Sequence, residues 1–207
     1  MNTIVVGCAG NATCGKDTFA NLLIKRLSEK GITAKRYALA DALKSDLYFF
    51  LKQNFDIDIF DCTLEQKNLV RPILVEYGRA KRIQTKGTFW TNLVEEKIKQ
   101  DRLPVAVVSD VRYWIYPDID ELPWLKNKLN GVLVYIDRYD NIDGKRRYTA
   151  PPNHDELENN PKLKKAADWH IDWPSVPIKE IELRQMPYID KFLEFLKPRL
   201  KELQCGQ

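Results

Sequence analysis

The amino-acid sequence predicts a three-layer α/β domain with a central, mainly parallel β-sheet of about five strands. Three segments are continuous apolar runs of the length of a buried strand, namely residues 3–8, 104–109 and 131–136. Between them, apolar residues recur with the period of a helix. Strands that alternate with helices form a parallel sheet covered on both faces. We expect all 207 residues to form one domain, because no linker or internal repeat divides the chain.

The first half of the chain is expected to contain two strands and four helices. The strands cover residues 3–8 and 34–39, and the helices lie near residues 15–31, 41–54, 64–78 and 89–98. Four side chains of the second helix are expected to point inward: Leu43, Leu47, Phe50 and Leu51. Thr63 and Gln66 have the spacing of a capping box, whereas Pro72 should kink or interrupt the helix that follows.

The second half begins with the two apolar strands at 104–109 and 131–136. A polar, basic stretch follows at 137–152 and has little to bury. We then expect a short helix that starts near His154 and is capped by Asn153. A short last strand at 168–172 and an amphipathic helix over 188–203, which Pro198 can kink, complete the chain.

A glycine-rich loop joins the first predicted strand to the first predicted helix. Its nine residues are Gly10, Asn11, Ala12, Thr13, Cys14, Gly15, Lys16, Asp17 and Thr18. Glycines let the backbone curl so that N–H groups point at phosphate oxygens, and the helix N-terminus adds partial positive charge. Lys16 can reach the β- and γ-phosphates. We therefore expect the loop to bind ATP, with Lys16 as a catalytic residue; the alternative is a glycine-rich turn without a ligand.

The residue after Lys16 departs from the strict phosphate-loop pattern, which has Ser or Thr there to hold Mg²⁺. Asp17 occupies that position, and the hydroxyl comes from Thr18 one residue later. Both residues are candidate ligands of Mg²⁺, directly or through water. Asp17 is alternatively an acidic residue of the first helical turn, which the helix macrodipole favours there.

Several motifs occur in the same order as in the phage-type deoxynucleoside monophosphate kinases. The chain is similar to that family in its GKDT loop and in the segments 40–44 (ADALK), 71–78 (RPILVEYG), 109–112 (SDVR) and 154–158 (HDELE). Trp90 and Ala167–Asp168 also match, so the resemblance spans residues 3–175. The segment 114–117 (WIYP) departs from the shorter polar continuation of the family.

The resemblance implies a P-loop nucleotide kinase that uses ATP and Mg²⁺ and accepts a deoxynucleoside monophosphate. It also implies a helical acceptor-binding region over residues 55–100 and a mobile lid over residues 137–152. The expected reaction transfers the γ-phosphoryl group to the monophosphate without a covalent intermediate. Two alternatives stay open: a P-loop kinase for another small phosphorylated acceptor, and a regulatory or packaging protein that binds ATP.

Three polar residues are the main candidates outside the loop. Asp110 ends the most apolar predicted strand, where a carboxylate can hold a water on Mg²⁺ and act in catalysis; its alternative role is simply to end the strand. Arg71 and Arg112 are expected to bind the acceptor phosphate with their planar guanidinium groups. The alternatives are a pair between Arg71 and Glu76, and a surface position for Arg112.

Three further residues are assigned to the acceptor: Asp41, Lys44 and Trp90. Asp41 is alternatively the N-cap of the second helix. Trp90 is alternatively a core residue and not a platform on which a base stacks, and the core is the commoner place for a tryptophan on an amphipathic helix.

The basic stretch at 137–152 contains four cationic residues: Arg138, Lys145, Arg146 and Arg147. A cationic lid that closes over the phosphates stabilises the charge of the transition state and excludes water. We assign Arg138 and Arg146 to ATP and Arg138 also to catalysis. The alternative is a solvated loop.

Composition limits the remaining classes. The chain has 33 basic and 29 acidic residues, and a net charge of +4 suits a nucleotide but does not predict nucleic-acid binding. Its four cysteines form no CxxC pair, and neither a disulfide framework nor a zinc site is predicted. No apolar run is long enough for a membrane span. We expect a cytoplasmic protein, located in the host cytoplasm if the chain is of phage origin, and the amphipathic C-terminal helix leaves room for a homodimer.

Overall fold

The computed structural model describes residues 3–151 and 153–205 and contains a six-stranded mixed sheet. Its strands are β1 (Ile4–Ala9), β2 (Ala34–Tyr37), β3 (Val105–Val108), β4 (Val132–Ile142), β5 (Lys145–Tyr148) and β6 (Trp169–Pro174). Five of them run parallel in the order β2–β3–β1–β4–β6. β5 pairs antiparallel with the far end of β4. The predicted parallel sheet is confirmed, and β5 is an addition.

The helices of the described residues are α1 (Lys16–Glu29), α2 (Leu39–Phe55), α3 (Leu64–Thr85), α4 (Thr88–Asp101), α5 (Glu121–Pro123), α6 (His154–Ala166) and α7 (Ile181–Cys205). A π-helical turn at Trp124–Lys128 continues α5, and a 3₁₀ turn at Ile178–Glu180 precedes α7. The capping box of α3 is confirmed, because the Thr63 hydroxyl accepts from Gln66 N and the Gln66 side chain accepts from Thr63 N.

Helices cover both faces of the sheet, as an α/β fold requires. One face is packed by α1 and α7, with Phe19 and Phe192 in edge-to-face contact at 5.3 Å. The other face is packed by α4, α6 and the π-helical turn, which contribute Trp90, Leu163 and Trp124. A third apolar cluster lies between α2 and α3 and contains Leu47, Leu51, Ile57, Ile59, Val70 and Leu74.

The chain changes direction across the sheet after β1. From β1 it passes along the α1 face to β2, whereas the connections after β3 and β4 pass along the opposite face and lead the other way. Ligands of open α/β sheets bind in the crevice at the carboxyl end of the strand where this reversal occurs. The loop after β1 occupies that crevice.

Three details of the helical region differ from the sequence prediction. α2 starts at Leu39, two residues early, and Phe50 is 47% exposed although it was expected to point inward. α3 continues through Pro72 and past Gly78 to Thr85. Gly78 lies inside α3 and faces Leu43 of α2.

The basic stretch is not a loop. β4 continues six residues beyond its predicted end at Ile136 and forms a hairpin with β5. The turn between them is Asp143-Gly144, with φ of 51° and 73°. Two central residues with positive φ match the twist of the flanking strands, and Asp-Gly is a preferred sequence for such a turn. That dipeptide was available in the sequence and was not used.

α7 is seven residues longer at its start than predicted, and Pro187 and Pro198 both lie inside it. Its apolar side chains Met186, Ile189, Phe192 and Leu196 pack against the sheet and α1. The amphipathic face that left room for a homodimer is therefore used within the chain. The side chain of Cys205 lies outside the described residues. None of the helices formed by residues 3–151 and 153–205 combines the length and the hydropathy of a membrane-spanning segment.

Candidate functional site

The glycine-rich loop has the curled backbone that the sequence predicts. β1 ends at Ala9 and α1 begins at Lys16. Gly10, Thr13 and Gly15 have φ of 136°, 64° and 99°. Thr13 is a residue with a side chain in the left-handed region, a strained conformation that is concentrated at functional sites. The loop conformation therefore depends on three residues with positive φ, separated by residues with negative φ.

Residues of β4 and β6 pack closely against this loop. A side chain at Gly10 would lie 2.3 Å from the carbonyl oxygen of Ile136, and one at Gly15 would lie 2.8 Å from the Trp173 ring. The indole N–H of Trp173 donates to the Cys14 carbonyl at 2.9 Å. Trp173 is fully buried on β6. Only glycine fits both positions, because β4 and β6 approach the loop so closely.

Lys16 lies at the centre of the loop and is 8% exposed. Its ammonium donates to the carbonyl oxygens of Gly10 at 2.7 Å and Asn11 at 2.8 Å. No carboxylate of the described residues lies within ion-pair distance of this ammonium. α1 also starts at Gly15 without a side-chain cap, which leaves its first N–H groups without a side-chain partner. The arrangement presents positive charge and donors to an anion.

The two candidate magnesium ligands of α1 differ in their surroundings. Asp17 is 75% exposed and forms an ion pair with Arg36 at 3.3 Å. The Thr18 hydroxyl makes no side-chain hydrogen bond within residues 3–151 and 153–205. Arg36 is thus a cation that can offset repulsion between Asp17 and a bound phosphate. Arg36 could not be predicted from the sequence, because β2 contains no motif.

Asp110 caps α2. Its two carboxylate oxygens accept from Leu39 N and Ala40 N, each at 2.8 Å. Burial raises the pKa of Asp110, and the charge of Arg112 and the two N–H groups oppose that rise. The interpretation of Asp41 as the N-cap is wrong, because Asp110 satisfies the first amides of the helix and Asp41 lies inside its first turn. Asp110 serves the helix, and each oxygen keeps a lone pair for a water.

A charged cluster lies beside Asp110, at the ends of β2 and β3. Arg36 donates to Asp41 at 3.0 Å and to the Ser109 hydroxyl at 2.8 Å. Lys44 donates to the other oxygen of Asp41 at 3.0 Å. The structure therefore brings together the predicted acceptor residues Asp41 and Lys44 with Asp17 of the loop, and Arg36 is the residue that joins them.

Arg112 contacts the loop through a residue that the sequence analysis did not single out. Its guanidinium donates to Glu156 at 3.3 Å, and the other Glu156 oxygen accepts from Ala12 N at 2.9 Å. Glu156 is 5% exposed, whereas the Arg112 side chain is 40% exposed. Burial alone lowers the pKa of Arg112, but the charges of Asp110 and Glu156 outweigh it and raise the pKa. Arg112 therefore stays charged beside the loop.

The backbone around Arg112 is fixed by a buried ionic network. Glu121 accepts from Arg112 N at 2.6 Å and Tyr113 N at 3.0 Å. Arg82 of α3 donates to Asp120 at 2.6 Å and to Glu121, and its guanidinium lies 3.7 Å from the Tyr113 ring centroid. Burial raises the pKa of Glu121, an effect that the charge of Arg82 opposes. The end of α3 is thus tied to the segment that carries Arg112.

The other two acceptor candidates do not join this group. Trp90 is 3% exposed and lies edge-to-face against Phe89 at 4.7 Å. Trp90 therefore lies in the core, which is the alternative to its assignment to the substrate. Arg71 is exposed on α3 and forms no ion pair with the described residues, so the alternative pair with Glu76 is not observed.

The two arginines assigned to ATP, Arg138 and Arg146, lie on opposite faces of the hairpin. Arg138 follows Ile136 by two residues and is paired with Trp173, so it lies on the α1 face of the sheet. Its buried Nε has no hydrogen-bond partner among the described residues. Burial raises the pKa of Cys14, and the charges of Lys16 and Arg138 oppose that rise, so Arg138 acts electrostatically on the loop.

Arg146 lies on the opposite face of the hairpin. It is 54% exposed, donates to Asp172 at 2.7 Å and covers the Tyr139 ring at 4.4 Å. Its neighbour Arg147 is paired with Asp140 and therefore shares the face of Arg138. Successive side chains of a strand point to opposite faces, which places these two arginines on different faces of β5. This inference from the sequence requires that the segment is first recognised as a strand.

The chain was compared with known proteins. No protein-family model matches it, and no curated protein matches it.

Proposed function

We propose that the chain is an ATP-dependent deoxynucleoside monophosphate kinase with a P-loop fold. The observation that carries the proposal is the loop between β1 and α1, in which Lys16 is buried without a carboxylate partner of the described residues and the first amides of α1 lack a side-chain cap. A buried cation beside unpartnered N–H groups is a site for phosphate oxygens. The crevice at the end of β1 supports the same assignment.

A second group of cationic side chains beside the loop supports a kinase over a protein that only binds ATP. Glu156 connects Arg112 to the loop, and the cluster of Arg36, Asp41 and Lys44 lies beside Asp110. One arginine fork can bind a phosphate with two parallel hydrogen bonds. We propose that the acceptor phosphate lies between Arg112 and this cluster, in line with the γ-phosphoryl group.

The residues suit Mg²⁺ that arrives with the nucleotide. No group of three potential metal-binding side chains occurs within residues 3–151 and 153–205. Mg²⁺ commonly takes only one or two protein ligands and completes its shell with phosphates and water. The Thr18 hydroxyl, which bonds to no other side chain that the structure describes, can take this role, and Asp17 and Asp110 can act through water. The metal supplies neutralisation of phosphate charge, while Lys16, Arg112 and Arg138 orient the reacting groups.

The direct test is to incubate the protein with ATP, Mg²⁺ and single nucleoside monophosphates, and to measure the diphosphate formed. The proposal predicts transfer to at least one deoxynucleoside monophosphate. Transfer only to a non-nucleotide acceptor would establish the first alternative, a P-loop kinase for another phosphorylated compound. ATP binding or slow hydrolysis without transfer to any acceptor would establish the second, a regulatory or packaging protein.

Two arginine variants test the acceptor site separately. Arg112→Lys should raise KM for the monophosphate about tenfold, since lysine cannot reproduce a bidentate phosphate contact. Arg71→Lys is the companion variant, and a similar increase would assign Arg71 to the acceptor as well. ATP affinity without acceptor should change little in both. If Arg112→Lys leaves KM unchanged, the acceptor phosphate does not bind there.

A further inference from the structure

α6 contacts both loops that form the candidate site. Asn160 donates to the Asn11 side chain in the glycine-rich loop. Asn159 accepts from Trp114 N at 3.0 Å in the segment that follows Arg112. Both asparagines are buried. One face of a single helix therefore holds the backbone of the proposed donor site and that of the proposed acceptor site.

Glu156 makes the shortest connection between the two sites. One oxygen accepts from Ala12 N at 2.9 Å, and the other accepts from the Arg112 guanidinium at 3.3 Å. The two oxygens of one carboxylate thus link an amide of the loop to the arginine assigned to the acceptor. Because Glu156 is 5% exposed, water competes little for either contact.

The orientation of Glu156 departs from what its helix position favours. Asn153 caps α6 by accepting from Glu156 N at 2.9 Å, which makes Glu156 the third helical residue. A glutamate at this position commonly turns back to the N-cap amide and completes a capping box. Here its carboxylate points at the loop and Arg112 instead. The helix start is therefore not the reason for this side chain.

We propose that Glu156 is a positioning residue that holds Arg112 and the glycine-rich loop in register for phosphoryl transfer. The inference rests on the proposed function. Arg112 has five N–H donors and Glu156 engages one of its nitrogens, so a fork remains for the acceptor phosphate. Correct placement of reacting groups contributes much of the rate in such transfers.

This role predicts a distinct kinetic effect, because the charge of Glu156 opposes binding of the acceptor whereas its hydrogen bonds favour the reaction. Its negative charge partly neutralises Arg112 and thereby weakens attraction of an anionic acceptor. Its hydrogen bonds fix Arg112 relative to the loop and thereby favour reaction. Removing the charge should lower kcat without weakening the acceptor complex. Loss of a residue needed only for folding would lower kcat and the affinity for the acceptor together.

The test compares Glu156→Gln with Glu158→Gln. Glu158 lies on the same helix, is 59% exposed and pairs with His154, so it is a matched control. Glu156→Gln should lower kcat about tenfold or more, while the Kd of the monophosphate, titrated with a non-hydrolysable ATP analogue present, stays equal or falls. Glu158→Gln should leave both unchanged. An unchanged kcat in Glu156→Gln, or a Kd that rises in parallel with the loss of kcat, overturns the proposal.

A double-mutant cycle with Arg112→Ala tests whether Arg112 is the residue through which Glu156 affects turnover. If Glu156 acts through Arg112, then adding Glu156→Gln to Arg112→Ala should lower kcat by less than about threefold further. Independent, multiplicative losses overturn the link to Arg112. Absence of transfer by the wild-type protein would instead refute the proposed function, whereas wild-type transfer with an unaffected Glu156→Gln variant refutes the positioning role alone.

Discussion

The glycine-rich loop and the β4–β5 hairpin carry the two sets of cations assigned to ATP, and they are supported in different ways. The loop is held by Trp173 from β6, by the Ile136 carbonyl from β4 and by Glu156 from α6. By contrast, residues 140–148 of the hairpin are exposed throughout. The loop has its conformation fixed by the core, whereas the hairpin tip is stabilised mainly by its own ladder.

This difference indicates separate tasks for the two regions. A loop fixed in advance loses little conformational entropy when it binds phosphate. An exposed two-stranded arm has few buried contacts to break and belongs to the part of a protein that opens most easily. The loop suits binding, and the arm suits closure over bound nucleotide. The following predictions test this contrast.

The largest effect is expected from Lys16→Ala. Loss of the ammonium should lower kcat more than about a hundredfold, which corresponds to ~3 kcal/mol of transition-state stabilisation. Lys25→Ala is the control, because Lys25 lies on the same helix and pairs with Glu182 at the surface. Thermal unfolding should show that both variants fold. Retention of more than about a tenth of wild-type turnover by Lys16→Ala would contradict the assigned role.

The rigidity of the loop can be tested with two glycines that share a positive φ. A side chain at Gly15 would meet the Trp173 ring at 2.8 Å, whereas one at Gly31 would meet nothing within 4 Å. Gly31→Ala should lower the free energy of unfolding by about 1–2 kcal/mol, the cost of the left-handed conformation. Gly15→Ala should cost about 1–3 kcal/mol more and also weaken ATP binding. Equal losses in denaturant titrations would mean that Trp173 does not fix the loop.

The hairpin offers neighbouring arginines on opposite faces. Arg147→Ala should lower kcat about tenfold and Arg138→Ala by at least as much, because both lie on the α1 face of the sheet and lid contacts act mainly in the reacting state. Arg146→Ala should change kcat less than about threefold, since Arg146 bonds to Asp172 on the other face. A larger loss for Arg146 than for Arg147 would contradict this division.

The smallest effect concerns dynamics and not turnover. Amide hydrogen exchange of residues 140–148 should be fast in the free protein and slower with ATP and an acceptor together. The amides of β1, and those of α1 beyond its first turn, should be protected in both states. If the two ligands together leave the exchange of the hairpin unchanged, the arm does not close over them.

The glycine-rich loop shows why local patterns predicted so much of this site. The turn from strand to helix, the glycine positions and the basic side chain are all specified within nine consecutive residues. The capping box of α3 and the Asn153 cap of α6 were predicted for the same reason. Each depends on contacts between residues a few positions apart, so spacing alone reveals it.

Elements that depend on distant partners were predicted poorly. The sequence left Trp90 open between the substrate and the core, and only the structure shows it buried beside Phe89 and Tyr77. Asp41 was offered as a helix cap, although Asp110, 69 residues away in the chain, caps α2. The hairpin was assigned to a lid without its two strands, because exposed strands lack the alternation of apolar residues that marks a strand with one buried face.

By itself, the sequence determined the order along the chain of the five parallel strands and the longer helices, and the glycine-rich loop with Lys16 at its centre. These follow from periodicity and from short-range backbone chemistry, which act within one element. Only the tertiary structure decided which side chains meet at the loop: Arg36 from β2, Glu156 from α6 and Trp173 from β6. Those contacts join residues up to 159 positions apart, and they form only because the parallel strands bring their carboxyl ends to one edge of the sheet.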